Sequence, residues 1–372
     1  MTGSDPRADP GAEDREALRE AVAALLDRTP GAAAWPKLCR EIGVAALAVP
    51  ERYGGAGAGL PEVCVVLEEL GRTLIPAPML GSAVLAATAV LTCGDEAARE
   101  RLLPGIAAGT TTAALVWAGA RGHWDPAAPE CRWDGRLHGE AHYVLDGAEA
   151  DVLVVAARTN GSADAGVRLF EVDPADTTRT GATPLDDTRP LATVLLDGCP
   201  GRPLDDTGHE AENRAGTDQT AALAHVRDIA CIALAAEQVG TAAHCLAATV
   251  AYTKQRVQFG RPIAHFQALQ HRMADVHVLV ETARSAVWAA ARANATSPAE
   301  LPLLAGVAKV HCAEVARRAA AEMVQLHGGI AITWEHEAHR YFKRAHGGAQ
   351  LFGQPHEHLA RLADLALAPA DT

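Results

Sequence analysis

The chain has 372 residues, 49% of them apolar and 21% charged, and 33 Lys and Arg against 46 Asp and Glu give a net charge of −13 at pH 7. A chain of this length buries a sizeable core and divides into two or three domains of about 100–200 residues each. The acidic balance argues against a nucleic-acid or anionic-membrane partner, because either needs a concentrated basic surface, but it leaves room for a small basic pocket around a phosphate-bearing ligand.

The first residues, Met1 to Asp14, are acidic and polar, without the basic start and apolar run of a signal peptide. From Asp14 to about Gly109, Ala, Leu, Glu and Arg recur at helical spacing. The clearest case is Leu60 to Leu74, where Val63, Leu67, Leu70 and Leu74 fall at steps of three and four. Between these helices lies Val49-Pro50-Glu51-Arg52-Tyr53-Gly54-Gly55-Ala56-Gly57-Ala58-Gly59. Neither a following Gly-Lys-Ser/Thr nor a flanking strand supports a phosphate cradle there, so the stretch reads as a helix-to-helix loop. The most apolar run picked out, Ala83 to Thr92, is shorter than the roughly 20 residues that a bilayer requires. Residues 1–109 are therefore expected to form a helical domain.

From about Thr110 to Pro203 the period shortens. Ala113–Trp117, Val152–Ala156, Val167–Val172 and Ala192–Leu196 are short β-prone runs. Asp134-Gly135, Asp146-Gly147, Asn160-Gly161 and Asp197-Gly198 punctuate them as turns. Residues 110–212 read as an antiparallel barrel or sandwich, and the lack of interleaved helices disfavours a doubly wound nucleotide fold.

Helix then returns for residues 213–372. Ile229, Ile232, Ala236, Val239, Ala243, Leu246 and Val250 mark the seam of a long bundle helix. Further helices are expected at about Phe266–Ala293, Leu301–Leu326 and Pro355–Leu367, completing a four-helix bundle. The fold class is thus α+β: helical domain, middle β domain, C-terminal four-helix bundle. The eight cysteines, from Cys39 to Cys312, lie singly with no Cys-x-x-Cys pair, as reduced buried thiols of a soluble cytoplasmic protein would. His336-Glu337-Ala338-His339 lacks the spacing of a zinc-binding His-Glu-x-x-His, and no metal site is expected.

Two segments carry residues that packing alone would not choose. Lys254 to Gln267 places cations, Phe259 and two amides around a Gly260–Pro262 helix break, which suits a diphosphate attached to a flat ring, or simply a solvated corner. Val324-Gln325-Leu326-His327-Gly328-Gly329-Ile330 ends a helix on paired glycines that admit a close backbone or ligand, or simply cap the helix.

In this order the segments resemble the acyl-CoA dehydrogenase family over nearly the whole chain. Val49–Gly55, Leu67-Glu68-Glu69-Leu70-Gly71, Arg256–Gln267, Ala274-Asp275, Gln325–Gly329 and Thr333–His339 all contribute. The resemblance implies FAD, with Arg256, Gln258 and Phe259 reaching the cofactor from a neighbouring subunit. It places Gln267 at the adenine half, and Gln325, Gly328 and Gly329 beside the ribose and pyrophosphate. It also implies α,β-dehydrogenation of an acyl-CoA or acyl-carrier substrate by a tetramer. A buried carboxylate removes the α-proton, flavin N5 receives the β-hydride, and an electron-transfer flavoprotein or similar acceptor takes the electrons.

Three departures fall at the reaction centre. Phe352 stands at or beside one family position for the base, and Ala230 stands at the other, ten residues before Gly240. Glu237 shares a face with Ala230 but lies about 10 Å along the helix. Asp228, two residues from Ala230, points away unless a local register change turns it, and is the remaining candidate base. In the β domain, Trp117-Ala118-Gly119-Ala120-Arg121-Gly122 and Tyr143-Val144-Leu145-Asp146 replace the flavin-side and acyl-side motifs, with Leu145 where a hydroxyl is expected. The alternative reading is a non-catalytic partner subunit that completes the FAD site of a catalytic paralogue.

Overall fold

The computed structural model describes residues 11–159, 166–205 and 218–367; the Asn160-Gly161 turn and the boundary at residue 212 lie outside them. The N-terminal helices are α1 (Ala12–Arg28), the short α2 (Ala34–Lys37), α3 (Leu60–Thr73), α4 (Ala87–Cys93) and α5 (Glu96–Ala107), with a wider π-type winding over Met79–Ala86. Gly54–Gly59 forms the expected loop. Gly55 is needed because a Cβ there would meet the Val49 carbonyl oxygen at 1.8 Å.

The β region contains β1 (Ala113–Val116), β2 (Arg132–Trp133), β3 (Leu137–Leu145), β4 (Val152–Thr159), β5 (Gly166–Val172), β6 (Thr178–Gly181), β7 (Leu191–Cys199) and β8 (Arg202–Pro203). They form one sheet in the order β6-β7-β3-β2-β4-β5-β8, with β1 alongside β4. Most pairs are antiparallel, but β1 and β2 each run parallel to β4. The runs are continuously apolar because both faces are covered. Ala114, Val116, Leu153 and Val155 face the sheet's own core with Phe170, while Leu115, Trp117, Val154 and Ala156 face the helices. Asp134-Gly135 makes the β2–β3 hairpin turn, with Gly135 at φ 100°. Asp197-Gly198, expected to be a turn, instead lies within β7 as a bulge: the register shifts between Leu137 and His138, and Gly198 takes up the left-handed backbone at φ 69°.

Helix α6 (Thr220–Gln255) is followed by the two-residue strands β9 (Val257–Gln258) and β10 (Arg261–Pro262), then α7 (Gln267–Thr296), α8 (Leu301–His327), α9 (Ala338–Gln350) and α10 (Pro355–Leu367). Helix α9 was missing from the expected set, because its Lys, Arg, His and Gly-rich sequence masks the buried face of Tyr341, Arg344, Ala345, Gly348 and Ala349. Helix α6 is also longer than the Ala83–Thr92 stretch, long and apolar enough to cross a membrane by length and composition. However, 83% of its most apolar window is buried inside the protein. It crosses α3 on two glycines: a Cβ on Gly71 would meet the Glu237 oxygen at 2.0 Å, and one on Gly240 would meet the Glu68 oxygen at 1.8 Å. The seam of α6 is closed only in part. Ile229 to Val239 are buried, whereas Ala243, Leu246 and Val250 line a groove of about 680 Å³ between α6 and α7.

Candidate functional site

The Arg256–Gln267 segment folds as a miniature hairpin. Gln258 pairs with Arg261 and Val257 with Pro262. The Ile263 N–H donates to the Arg256 carbonyl at 2.8 Å, closing the base. Phe259 and Gly260 occupy the tip with φ 54° and 75°, the pair of positive values that a two-residue hairpin turn of matching twist requires. Glycine adopts that backbone freely; phenylalanine pays strain of about 1–3 kcal/mol for it. The strained ring is not used for packing, since Phe259 is 90% exposed and touches Phe266 only edge-on at 5.9 Å between centroids.

The end of α8 is tied to the same end of the bundle. Tyr252 Oη donates to the His327 carbonyl at 3.2 Å, and the two rings stack at 4.3 Å. His327 in turn donates through Nδ1 to the Met323 carbonyl at 2.7 Å and lies 4.6 Å from the His336 ring. Burial holds its pKa below the ordinary value. Beyond it Gly328 has φ 66°, and an added Cβ on Gly328 or Gly329 would meet nothing within 4 Å. Arg256, Gln267 and Gln325 are all exposed. Gln258 bonds only to its own neighbour, from Nε2 to the Val257 carbonyl at 2.9 Å. The structure thus gathers the residues matched to the cofactor at the C-terminal end of α6, although among the described residues no hydrogen bond or ion pair joins the hairpin to Gln325. An edge with a free guanidinium, a presented ring, free amides and an open glycine pair fits a flavin dinucleotide by the chemistry of its donors.

The expected reaction centre is different in character. Ala230 is fully buried in the core. Phe352, 1% exposed, takes φ 60° in the turn after α9. Its ring lies 5.0 Å from Trp124 and 6.4 Å from Trp117, which are themselves 5.3 Å apart edge-to-face. Each such aromatic pair contributes about 0.5–1.5 kcal/mol beyond the area it buries. Two buried side chains pin the turn. Lys309 Nζ donates to the Ala349 carbonyl at 3.1 Å, and His358 Nε2 lies 2.9 Å from the Phe352 carbonyl. Burial pushes Lys309 down to about 8 and His358 down to about 4. Leu145 is buried against Gly81, which would bring a Cβ within 3.0 Å of its own.

Neither nearby carboxylate is free. Asp228, 3% exposed, accepts from Arg361 Nη2 at 2.7 Å and lies 3.7 Å from Arg227 Nε. Glu237 is paired with Arg189 and, at 3.4 Å, with Arg344. Beside this pair, Asp146 is pushed up to about 7, mainly by burial. The aromatic cluster and the Arg361–Asp228 pair were not legible in the sequence, because their members lie far apart along the chain; Trp117 and Phe352 stood out only as replacements. Among the described residues no group of His, Cys, Asp or Glu could hold a metal ion. His336 accepts the Ala338 N–H, and Glu337 pairs with His244.

Comparison with known proteins identifies relatives along the whole chain. Residues 12–110 match the acyl-CoA dehydrogenase N-terminal domain, and residues 220–364 match the acyl-CoA dehydrogenase C-terminal domain. The chain is 39% identical over 366 residues to acyl-CoA dehydrogenase IpdE2 of Mycolicibacterium smegmatis, covering 94% of this chain and 98% of that protein. Among solved structures it is similar to the Tcur3481–Tcur3483 steroid ACAD variant, with 30% identity and a TM-score of 0.83 over 97% of this chain and 99% of that one. It is also similar to the ChsE4–ChsE5 complex from Mycobacterium tuberculosis, with 28% identity and a TM-score of 0.83 over 99% and 100%.

Proposed function

The chain is an oxidoreductase of the acyl-CoA dehydrogenase family, and on that premise we propose that the hairpin of Arg256–Gln267 and the turn of Gln325–Gly329 hold FAD for the α,β-dehydrogenation of an acyl thioester. The observation that carries this reading is the exposure of Arg256, Phe259, Gln267 and Gln325 at the end of α6, where among the described residues no side-chain hydrogen bond or ion pair holds Arg256, Gln267 or Gln325. Arg256 is placed to pair with the diphosphate, Phe259 to stack on a ring, and Gln267 and Gln325 to bond polar edges. Gly328 and Gly329 leave the backbone open to close approach. FAD bound there supplies the hydride acceptor. An electron-transfer flavoprotein or similar acceptor in the cytoplasm would be its redox partner.

Distance supports a multimeric reading. Arg227, which shares a cavity wall with Phe352, precedes Gln255, the last residue of α6, by 28 residues, about 42 Å at 1.5 Å per residue. That separation favours service of the cofactor edge to a neighbouring subunit, in a homo- or heterotetramer. The α-proton requires a carboxylate, and Asp228 is the one this chain offers, in the grip of Arg361.

A second reading has a specific observation in its favour. Trp117, Trp124 and Phe352 fill the place where a base and an acyl chain are expected, which suits a partner subunit that completes the FAD site of a catalytic paralogue. The similar ChsE4–ChsE5 structure is a complex of two named components. Purification alone and with a co-expressed paralogue, followed by flavin quantitation and titration with acyl-CoA, tests both readings. Flavin bound by the chain alone and bleached by an acyl-CoA supports the enzyme, with Asp228→Asn abolishing turnover. Flavin taken up only with the paralogue supports the partner. No flavin in either preparation refutes both.

A further inference from the structure

Where the helical, β and bundle regions meet, a cavity of about 10 Å³ lies between the end of α3, the β3–β4 turn, α6 and α9, about the size of one water molecule. Its lining from the N-terminal helices, between Leu70 and Gly81, holds no titratable group. Charge enters from the other sides: Asp146 in the β3–β4 turn, Arg189 just before β7, Glu237 on α6 and Arg344 on α9. Asp186 stands behind Arg344 at 3.5 Å. Farther out, Glu149 and Asp187 are exposed, and Arg179 is occupied by the carbonyls of Gly147, Ala148 and Ala150.

Three carboxylates at this junction face two guanidinium groups. Glu237 is held by both, Arg189 at one oxygen and Arg344 at 3.4 Å from the other. Asp186 pairs with Arg344 and accepts the Thr188 hydroxyl at 2.5 Å and the Thr188 N–H at 3.0 Å. Asp146 is left over: among the described residues its carboxyl makes no hydrogen bond and no ion pair. It is turned inward all the same, because a Cβ on the buried Gly81 would meet Asp146 Oδ2 at 2.4 Å. The backbone fixes that direction, with φ 57° at Asp146 and its N–H donating to the Pro190 carbonyl at 3.2 Å. An ionised carboxylate kept from water without a partner is unfavourable, and a proton removes the penalty.

We propose that Asp146 is a proton-operated latch on this junction. With its proton, two carboxylates balance two guanidinium groups and the junction stays closed. Without it, an unpaired negative charge beside Glu237 loosens the Leu70–Gly81 side. Burial is the largest influence on the Asp146 pKa and raises it from 3.8 to about 7; Arg189 opposes the rise, Glu237 adds to it and Arg344 opposes it. The closed junction therefore binds more protons than an open one between those values. Closure weakens as pH rises from about 4 to about 7 and levels off above. The latch goes beyond the cofactor reading and uses none of its residues.

Two measurements on the full-length protein, with any subunit it co-purifies with, test the latch. Infrared difference spectra between pH 6 and 8 are expected to show a protonated-carboxyl band that the wild type loses with a midpoint near 7. Asp146→Asn, which keeps the side-chain shape and tolerates the left-handed backbone, lacks that band. Hydrogen exchange over residues 75–86, corrected for its intrinsic pH dependence, is expected to quicken about tenfold from pH 6 to pH 8 in the wild type. In Asp146→Asn that step disappears. The wild-type infrared titration decides the matter if the variant fails to fold. No band lost between pH 6 and 8, no exchange step in the wild type, or either signal persisting in folded Asp146→Asn overturns the proposal.

Discussion

Phe259 and Phe352 both hold the left-handed backbone that favours glycine, at φ 54° and 60°, yet one ring is 90% exposed and the other 1%. The first is strained outward at the exposed tip of a hairpin. The second is strained inward and closes a cluster with Trp117 and Trp124. On the proposed reading the contrast separates two duties: the chain keeps open the edge matched to the cofactor and packs shut the position where a base is expected. Strain on the exposed ring has only the edge-on Phe266 contact to offset it, which supports the proposed role at the cofactor. Strain on the buried ring is offset by aromatic contacts and by the two bonds that pin its turn.

The sharpest way to break this contrast is Phe352→Ala. Removing a buried aromatic side chain costs about 3–5 kcal/mol, so denaturant melts are expected to show a loss of that order. A loss under 1 kcal/mol means the cluster is loose and the centre is not packed shut.

Next in size is an acid-side effect. The folded His358 pKa of about 4 lies below its ordinary 6.5. The unfolded chain therefore binds more protons between those values, and stability rises with pH across that window. His358→Gln is expected to flatten this rise by up to about 3 kcal/mol. Asp146, raised from 3.8 to about 7, pulls the other way in both proteins, so the difference between them isolates His358. Parallel stability–pH curves refute the assignment.

At the open end, Arg256→Ala removes a charge-assisted bond worth about 1.5–3 kcal/mol. Tenfold or greater weakening of FAD binding is expected by fluorescence titration, with the melting temperature unchanged because the side chain is exposed. The smallest effect belongs to the clasp between the two cofactor segments. Tyr252→Phe loses one hydrogen bond, about 1 kcal/mol, and faster hydrogen exchange is expected at Gly328 and Gly329 than at the hairpin.

Period and punctuation carried much of the fold. Leu60–Thr73, Leu301–His327 and Pro355–Leu367 run as their apolar spacing suggests, and the four β-prone runs all became strands. Helix α9 escaped because its buried face includes an arginine and a glycine. Asp197-Gly198 misled because a bulge and a turn require the same left-handed backbone. At the site, the Arg256–Phe259 corner stood out as residues that packing does not need, and the structure leaves it exposed. The closure at Phe352 was legible only as a missing base. Its partners Trp117 and Trp124, and the arginines that hold Asp228 and Glu237, are brought in by tertiary folding from distances that no local pattern records.

The central claim is that the hairpin edge holds the cofactor. The direct measurement is flavin per chain in the full-length protein and in the Arg256→Ala/Phe259→Ala double variant, each prepared with whatever subunit it requires and matched for folding by circular dichroism. The account predicts a folded double variant that retains less than a tenth of the wild-type flavin. Equal flavin in the two proteins contradicts it.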